Sequence, residues 1–380
     1  MIRPSPRSRS RALFPCLAAL LSLGADDPKP LAERPVTVRG IYGGVPRQIL
    51  ERGESLADYG INAVWIGSGG LRAEDIATLR EQGARVFAEF NTMHVASFLD
   101  EHPDAAPIGP DGQSSPPPEG WQGICPTHPA YRSHRMDEFR RVLRTFEIDG
   151  IWLDYHHAHA SWERDEPLLP DTCFCERCLD RFQEDSGVDL PDVPTAERSA
   201  ILLGPMAERW IRWRCDVFTD WVREFRSIRD ETRPDALLGT FHCPWTDSEY
   251  DNALRDKLAI DLKAQAPLFD VLSPMPYHAR FGHASDRDWI SRQTAWLGSF
   301  LGIEGDPDAN LVIWPIVQLS DWGESVAPEE VPDVLDHGTR GPSTGVLVFA
   351  WGGLQRDWEK VEQLGDFYRA LAGDSPEPSP

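Results

Sequence analysis

Positive charge is scarce in this sequence. Its 380 residues carry 38 Lys and Arg against 61 Asp and Glu, a formal net charge of -23. A nucleic-acid partner requires clustered cations along the phosphate backbone, so this balance argues against one. The same deficit disfavours anionic membrane surfaces and polyanionic substrates. No glycine-rich turn of the G-x-G-x-x-G form follows the first apolar run, so a dinucleotide-binding sheet gains no support and no organic cofactor is expected. There is no internal repeat. The apolar stretch 12–23 is broken by Pro15, Cys16 and Ser22 and is too short to span a bilayer as a mature helix.

That stretch fits a different purpose. Arg3, Arg7, Arg9 and Arg11 precede it, Ala25 offers a small residue for cleavage, and Asp26 and Asp27 follow. This is the layout of a secretory signal over residues 1–25, with a frayed N-terminal tail as the bland alternative. Cys16 lacks the small-residue context of a lipid anchor. The expected location is therefore periplasmic or secreted, with no membrane attachment after cleavage. The Pro- and Ser-rich end, 375–380, reads as a disordered tail.

Between them lies one domain, 26–374. Hydrophobic residues make up 41% of the chain, enough for a large core. Apolar, β-branched runs at 36–42, 63–67, 85–90, 150–154, 237–241, 271–275, 311–317 and 345–350 alternate with helical periodicity. Helices are expected near 51–59, 73–82, 131–146, 206–228, 252–264, 287–301, 329–336 and 358–371, with Gly60 and Gly83 as terminators. Eight strands alternating with eight helices predict an α/β fold, a single (β/α)8 TIM barrel, rather than an open doubly wound sheet. Long connections after the third strand (91–128) and the fourth (155–205) are where a site is expected.

The second of these carries Cys173, Cys175 and Cys178 in a C-x-C-x-x-C run. Three thiolates so close can converge on one tetrahedral ion, with Cys125 as the chosen fourth ligand. Disulfides are the alternative in an exported chain, although C-x-C pairs join poorly and three clustered cysteines leave one over. Cys215 reads as core, and Cys243 as buried or at the rim.

His102-Pro103-Asp104, Gly109-Pro110-Asp111-Gly112, Cys125-Pro126, Pro129-Ala130-Tyr131-Arg132 and the C-x-C-x-x-C run together resemble the zinc-containing β-galactosidases of glycoside hydrolase family 42. The resemblance spans about residues 85–182. It implies one structural zinc on Cys125, Cys173, Cys175 and Cys178. The catalytic pattern departs from that family. Its fourth strand ends in Asn-Glu, whereas this one ends Asp149-Gly150-Ile151-Trp152-Leu153-Asp154-Tyr155. The family's glutamate at the end of strand seven is replaced here by Val317-Gln318-Leu319-Ser320-Asp321. The Asp-Gly-Ile-Trp-Leu-Asp-Tyr run looks instead like the fourth strand of other glycoside-hydrolase-like barrels, so β-galactosidase activity does not follow.

Glycoside hydrolysis requires two carboxyl groups flanking the bond. Asp154 fits best, since a period of two puts Trp152 and Asp154 on one face of the strand and Ile151 and Leu153 on the other. It is expected partly exposed at the C-terminal mouth. For the partner, Glu249 and Asp247 rank just above Asp321 as catalytic candidates, with Glu89 held to bind or orient. Tyr42, Tyr155, His156, His242, Trp245, Tyr277, His278, Gln318, Trp322 and Trp351 are candidates for lining the substrate cleft. The fourteen Trp suit the apolar faces of sugar rings as well as a core. The leading reading is an exported glycosidase acting on neutral oligo- or polysaccharides. The alternatives are a non-catalytic carbohydrate-binding barrel and a metal-dependent hydrolase using His156, His157 and His159.

Overall fold

Nine parallel strands organise the computed structural model, which describes residues 29–373. The signal-like segment 1–25 and the tail 375–380 lie outside the described residues. The strands are β1 (Val38–Tyr42), β2 (Ala63–Gly67), β3 (Arg85–Asn91), β4 (Gly150–Asp154), β5 (Leu237–His242), β6 (Val271–Pro274), β7 (Val312–Ile313), β8 (Ile316–Gln318) and β9 (Gly345–Phe349). Their order is β7-β6-β5-β4-β3-β2-β1-β9-β8.

β7 and β8 are the two halves of the seventh expected strand, parted by Trp314 and Pro315. Pro315 has no N–H to give to a ladder, so regular pairing stops there. Trp314 N–H still donates to Leu272 O of β6, and Pro315 O accepts from Leu347 N of β9, both at 2.9 Å. One flank of the broken strand thus serves β6 and the other serves β9. The ring is closed, and the fold is a TIM barrel.

The inside of the ring is filled with aromatics. Trp65, Phe87 and Trp152 project inward from β2, β3 and β4, and Trp314 from the break between β7 and β8; Trp65 stacks on Phe87 at 4.4 Å, and Trp152 on Trp314 at 5.8 Å. Indoles need room that an ordinary barrel layer lacks, and glycine supplies it. A Cβ on Gly239 would fall 2.2 Å from the Trp152 ring, and one on Gly40 would fall 2.5 Å from Trp65. Two residues further along the same face come Gly67, Glu89 and Asp154. The carboxyl groups therefore sit one layer above the aromatic plug.

The helices cover the outside. Ala207–Thr232 buries Trp210, Trp213, Val217, Trp221, Phe225 and Ile228, the face expected from its period, and Phe225 packs on Phe139 of the helix Pro129–Thr145. Ala73–Glu81, Asp288–Leu301 and Trp358–Ala372 lie where expected, as does Val331–Gly338 within two residues. Two expected helices differ. The one near 51–59 is a short helix at Arg47–Glu51 and a 3-10 turn at Ala57–Tyr59, because Gly53 at φ 76° ends the first. The one at 252–264 is split into Ala253–Asp256 and Leu262–Gln265, with Ala259 at φ 59° between them. The connection after β4 contains two further helices, Glu176–Ser186 and Thr195–Leu203, that its composition did not announce.

Candidate active site

Asp154 is the last residue of β4 and faces the mouth. It is 9% exposed, more enclosed than a rim position would be. Its Oδ1 accepts the backbone N–H of Tyr155 at 2.8 Å. Tyr155 has φ 50°, a conformation costly for a residue with a Cβ, so the chain is bent hard where the strand ends.

Two more carboxyl groups act on Asp154, from Glu89 of β3 and Glu163. Glu163 stands on a hairpin flap closed by an antiparallel bridge between Ser161 and Leu168. The flap is tied down at Glu163 itself, whose backbone oxygen accepts from Arg280 Nε, and by an ion pair between Arg164 and Glu119. Burial holds the Asp154 carboxyl well above the usual carboxylate range, and the charges of Glu89 and Glu163 raise it further. Burial pushes Glu89 up to about 7 against the pull of Arg135, and Glu163 up to about 7 against Arg280. Three acids in a poorly hydrated site cannot all ionise near neutrality, so they hold both protons and charge there.

Aromatics ring these acids. Tyr42 packs edge-on to Phe241 at 5.7 Å and stacks on Phe349 at 5.6 Å, and Tyr277 packs between Phe349 at 4.9 Å and Trp322 at 5.9 Å. Burial and the nearby carboxylates raise the phenols of Tyr42, Tyr155 and Tyr277, which stay protonated donors. Beside Glu89 a cleft of about 480 Å³ opens toward the ends of β1 and β2, walled by Tyr42, Gly43, Gly44 and Gly67.

Other candidates are engaged elsewhere. Glu249 accepts from Thr246 N at 2.6 Å and from Gln293, closing its own loop. Asp247 is exposed beyond it. Asp321 accepts from Val326 N at 3.0 Å and pairs with the buried Lys360 at 2.9 Å. None of the three is among the charges acting on Asp154. Gln318 spends its amide on Arg280 N, Ser320 O and Trp322 O. Trp351 is buried, with its indole N–H on Gln48. Trp245 is buried against Trp162 and Tyr250. His242 and His278 are buried as well, the former with Nδ1 on Cys243 O.

The histidine cluster does not converge. His156 faces Phe218 O and Thr92, His157 lies between Ala158 O and Trp162 Nε1, and His159 between Pro116 O and Gly123 N. Their ring nitrogens are committed to protein groups, which corrects both the metal-hydrolase reading and the place of His156 in the cleft. Glu163 is the acid that sequence reasoning missed. It sits in the charged run Glu163-Arg164-Asp165-Glu166, which reads as a solvated loop, and only its neighbour Trp162 hints at burial.

The cysteines of the two long connections do meet. The Sγ atoms of Cys125, Cys173, Cys175 and Cys178 all lie within 4.8 Å of one another, and Cys125 is 3.6 Å from both Cys175 and Cys178. These are not disulfide lengths, and all four are free thiols, as are the buried Cys215 and Cys243. A tetrahedron with Zn–S arms of about 2.3 Å has edges of about 3.8 Å, so the donor set fits zinc. Ile108 N–H also points at Cys173 Sγ, a contact suited to thiolate.

The sequence matches no protein-family model and no curated protein. Solved structures do match. The glycoside hydrolase domain of PgaB (BpsB) from Bordetella bronchiseptica superposes with a TM-score of 0.63 at 14% identity, over 85% of this chain and 92% of that one. A β-galactosidase from the Antarctic haloarchaeon Halorubrum lacusprofundi gives 0.59 at 15% identity, over 88% and 58%. A family 42 β-galactosidase from G. stearothermophilus gives 0.57 at 13%, over 93% and 59%. This chain spans a little over half the length of those two β-galactosidases. At such identities the likeness concerns architecture alone: the chain has the TIM-barrel fold that these glycoside hydrolases share.

Proposed function

We propose that this protein is an exported glycosidase that cleaves glycosidic bonds in neutral oligo- or polysaccharides. The observation that carries the reading is the buried carboxyl of Asp154 at the strand end, acted on by the charges of Glu89 and Glu163 in an aromatic-lined mouth. Asp154, whose charged form is disfavoured by burial and by the charges of both glutamates, holds the proton. It gives that proton to the bridging oxygen as the C–O bond breaks, so the leaving sugar departs as an alcohol. An ionised glutamate attacks the anomeric carbon or takes a proton from the water that does. Tyr42 and Tyr155, which are part-exposed, donate hydrogen bonds to sugar hydroxyls. A barrel that only held sugar would gain nothing from crowding three acids together, which is costly to the fold.

Zinc belongs to the proposal as a structural ion on Cys125, Cys173, Cys175 and Cys178. It would clamp the connection after β3 to the one after β4, and with four thiolates it has no open position for chemistry. Export rests on the basic, apolar and small-residue pattern of residues 1–25. No helix among the described residues is long and apolar enough to cross a membrane.

The test is hydrolysis of a panel of neutral oligosaccharides by the wild type and by Asp154→Asn. The amide keeps the size of the acid but cannot carry its proton. We expect cleavage of at least one linkage class, reduced at least about 100-fold in the folded variant. Full turnover by Asp154→Asn would remove Asp154 from the chemistry, and no cleavage of any member would defeat the reading.

A further inference from the structure

Most tryptophans of this barrel are buried, but Trp121 is 37% exposed. It follows the 3-10 turn Pro118–Gly120 in the connection after β3. Its ring stacks on Tyr155 at 5.1 Å with an interplanar angle of 28°. Tyr155 is the residue after Asp154, and its ring also packs against His94 at 5.1 Å, on the side of the connection after β3. The turn beneath Trp121 is joined to the flap, because Glu119 pairs with Arg164 and accepts from Ser161 Oγ. The same contacts that hold Glu163 over the mouth therefore hold Trp121 at its edge.

An exposed indole backed by a second ring is an uneconomical way to meet water, but it suits a ligand with a flat apolar face. The C–H face of a pyranose is such a face. The charges nearby choose among sugars: those of Glu89 and Glu163, which reach Tyr155, would repel an anionic ring. Around the mouth the strands run β1, β2, β3, β4. The open cleft lies on the β1–β2 side of Glu89, and Trp121 lies on the β3–β4 side. The carboxyls stand between that cleft and the exposed face of the indole.

We propose that Trp121, backed by Tyr155, is a stacking platform for one ring of a neutral saccharide chain that extends to both sides of the carboxyls. This rests on the glycosidase reading above. The substrate is then a polymer or long oligomer engaged across an internal bond, and Trp121 sets the preference for length.

Native electrophoresis in gels containing soluble starch, mixed-linkage β-glucan, β-1,4-galactan or xylan tests binding without turnover. Wild type and Asp154→Asn should be retarded alike by at least one polymer. Trp121→Ala should weaken that retardation about tenfold or more in apparent Kd, and Trp121→Tyr should keep most of it. An exposed side chain can be removed without unfolding, and an unchanged melting temperature confirms this for the alanine variant. Retardation of Trp121→Ala equal to that of wild type overturns the platform while leaving the glycosidase reading to its own hydrolysis test. Failure of every polymer to retard the wild type overturns the platform as well, and hydrolysis of the oligosaccharide panel then tells whether the glycosidase reading falls with it.

Discussion

Glu89→Gln removes a crowded acid from the mouth while keeping its shape. In the folded protein burial lifts this carboxyl to about 7 from an ordinary 4.5. A group whose pKa is raised on folding stabilises the fold fully below the unfolded value and loses that contribution as pH climbs through the folded value. The window is therefore from about pH 4.5 to just above 7. At about 1.4 kcal/mol per pH unit the loss tops out near 3 kcal/mol, and solvent reaching this partly covered side chain trims it to about 2. The glutamine variant has no such loss. Urea unfolding at steps from pH 4 to 8.5 should show the two proteins keeping a constant difference at the acid end. The variant should then gain about 2 kcal/mol on wild type by pH 8. The same substitution should cut hydrolysis at least about 100-fold, so that stability and activity move in opposite directions. A stability difference that stays flat with pH would refute the assignment of a buried, raised acid at this position.

Elemental analysis should find about one zinc per chain, and Cys175→Ser should lose it, with faster amide exchange in 105–128 and 158–186 while the barrel strands stay protected. A chain that keeps its zinc after that change would place the ion elsewhere. Gly239→Ala drives a methyl into the Trp152 ring and should cost about 1–3 kcal/mol; a neutral outcome in thermal melts would show that the aromatic layer has slack. Protein recovered from its native host should begin near Ala25, and an intact Met1 on a cytoplasmic product would refute export.

What could be read from the sequence was what local pattern controls. The run Gly150–Asp154 is a strand because of its apolar residues, and its alternation alone puts Asp154 on the inner face. The seventh strand was legible as apolar, but its break was carried by the single Pro315. The cysteine spacing is equally local. The carboxyl partners of Asp154 were harder to find, because loop geometry chose them. Asp321 looks like a strand-end acid until Lys360, 39 residues on, claims it. Glu163 looks solvated until its backbone meets Arg280, 117 residues away. Neither contact leaves a periodic mark. The helices 176–186 and 195–203 were hidden in a connection whose cysteines and prolines read as irregular.

The pairing of the first strand with the last has a consequence for how the protein is born. Val38 to Ile41 of β1 face Gly345 to Val348 of β9, so the ring closes only across some 300 residues of intervening chain. Glu89, Asp154 and Glu163 all emerge in the first half of synthesis, but Phe349, against which Tyr42 and Tyr277 pack, comes near the end. A chain made from its N-terminus thus keeps one edge of β1 unpaired until β9 has emerged, open to pairing with another strand. No truncated product short of β9 can complete the aromatic wall around the acids.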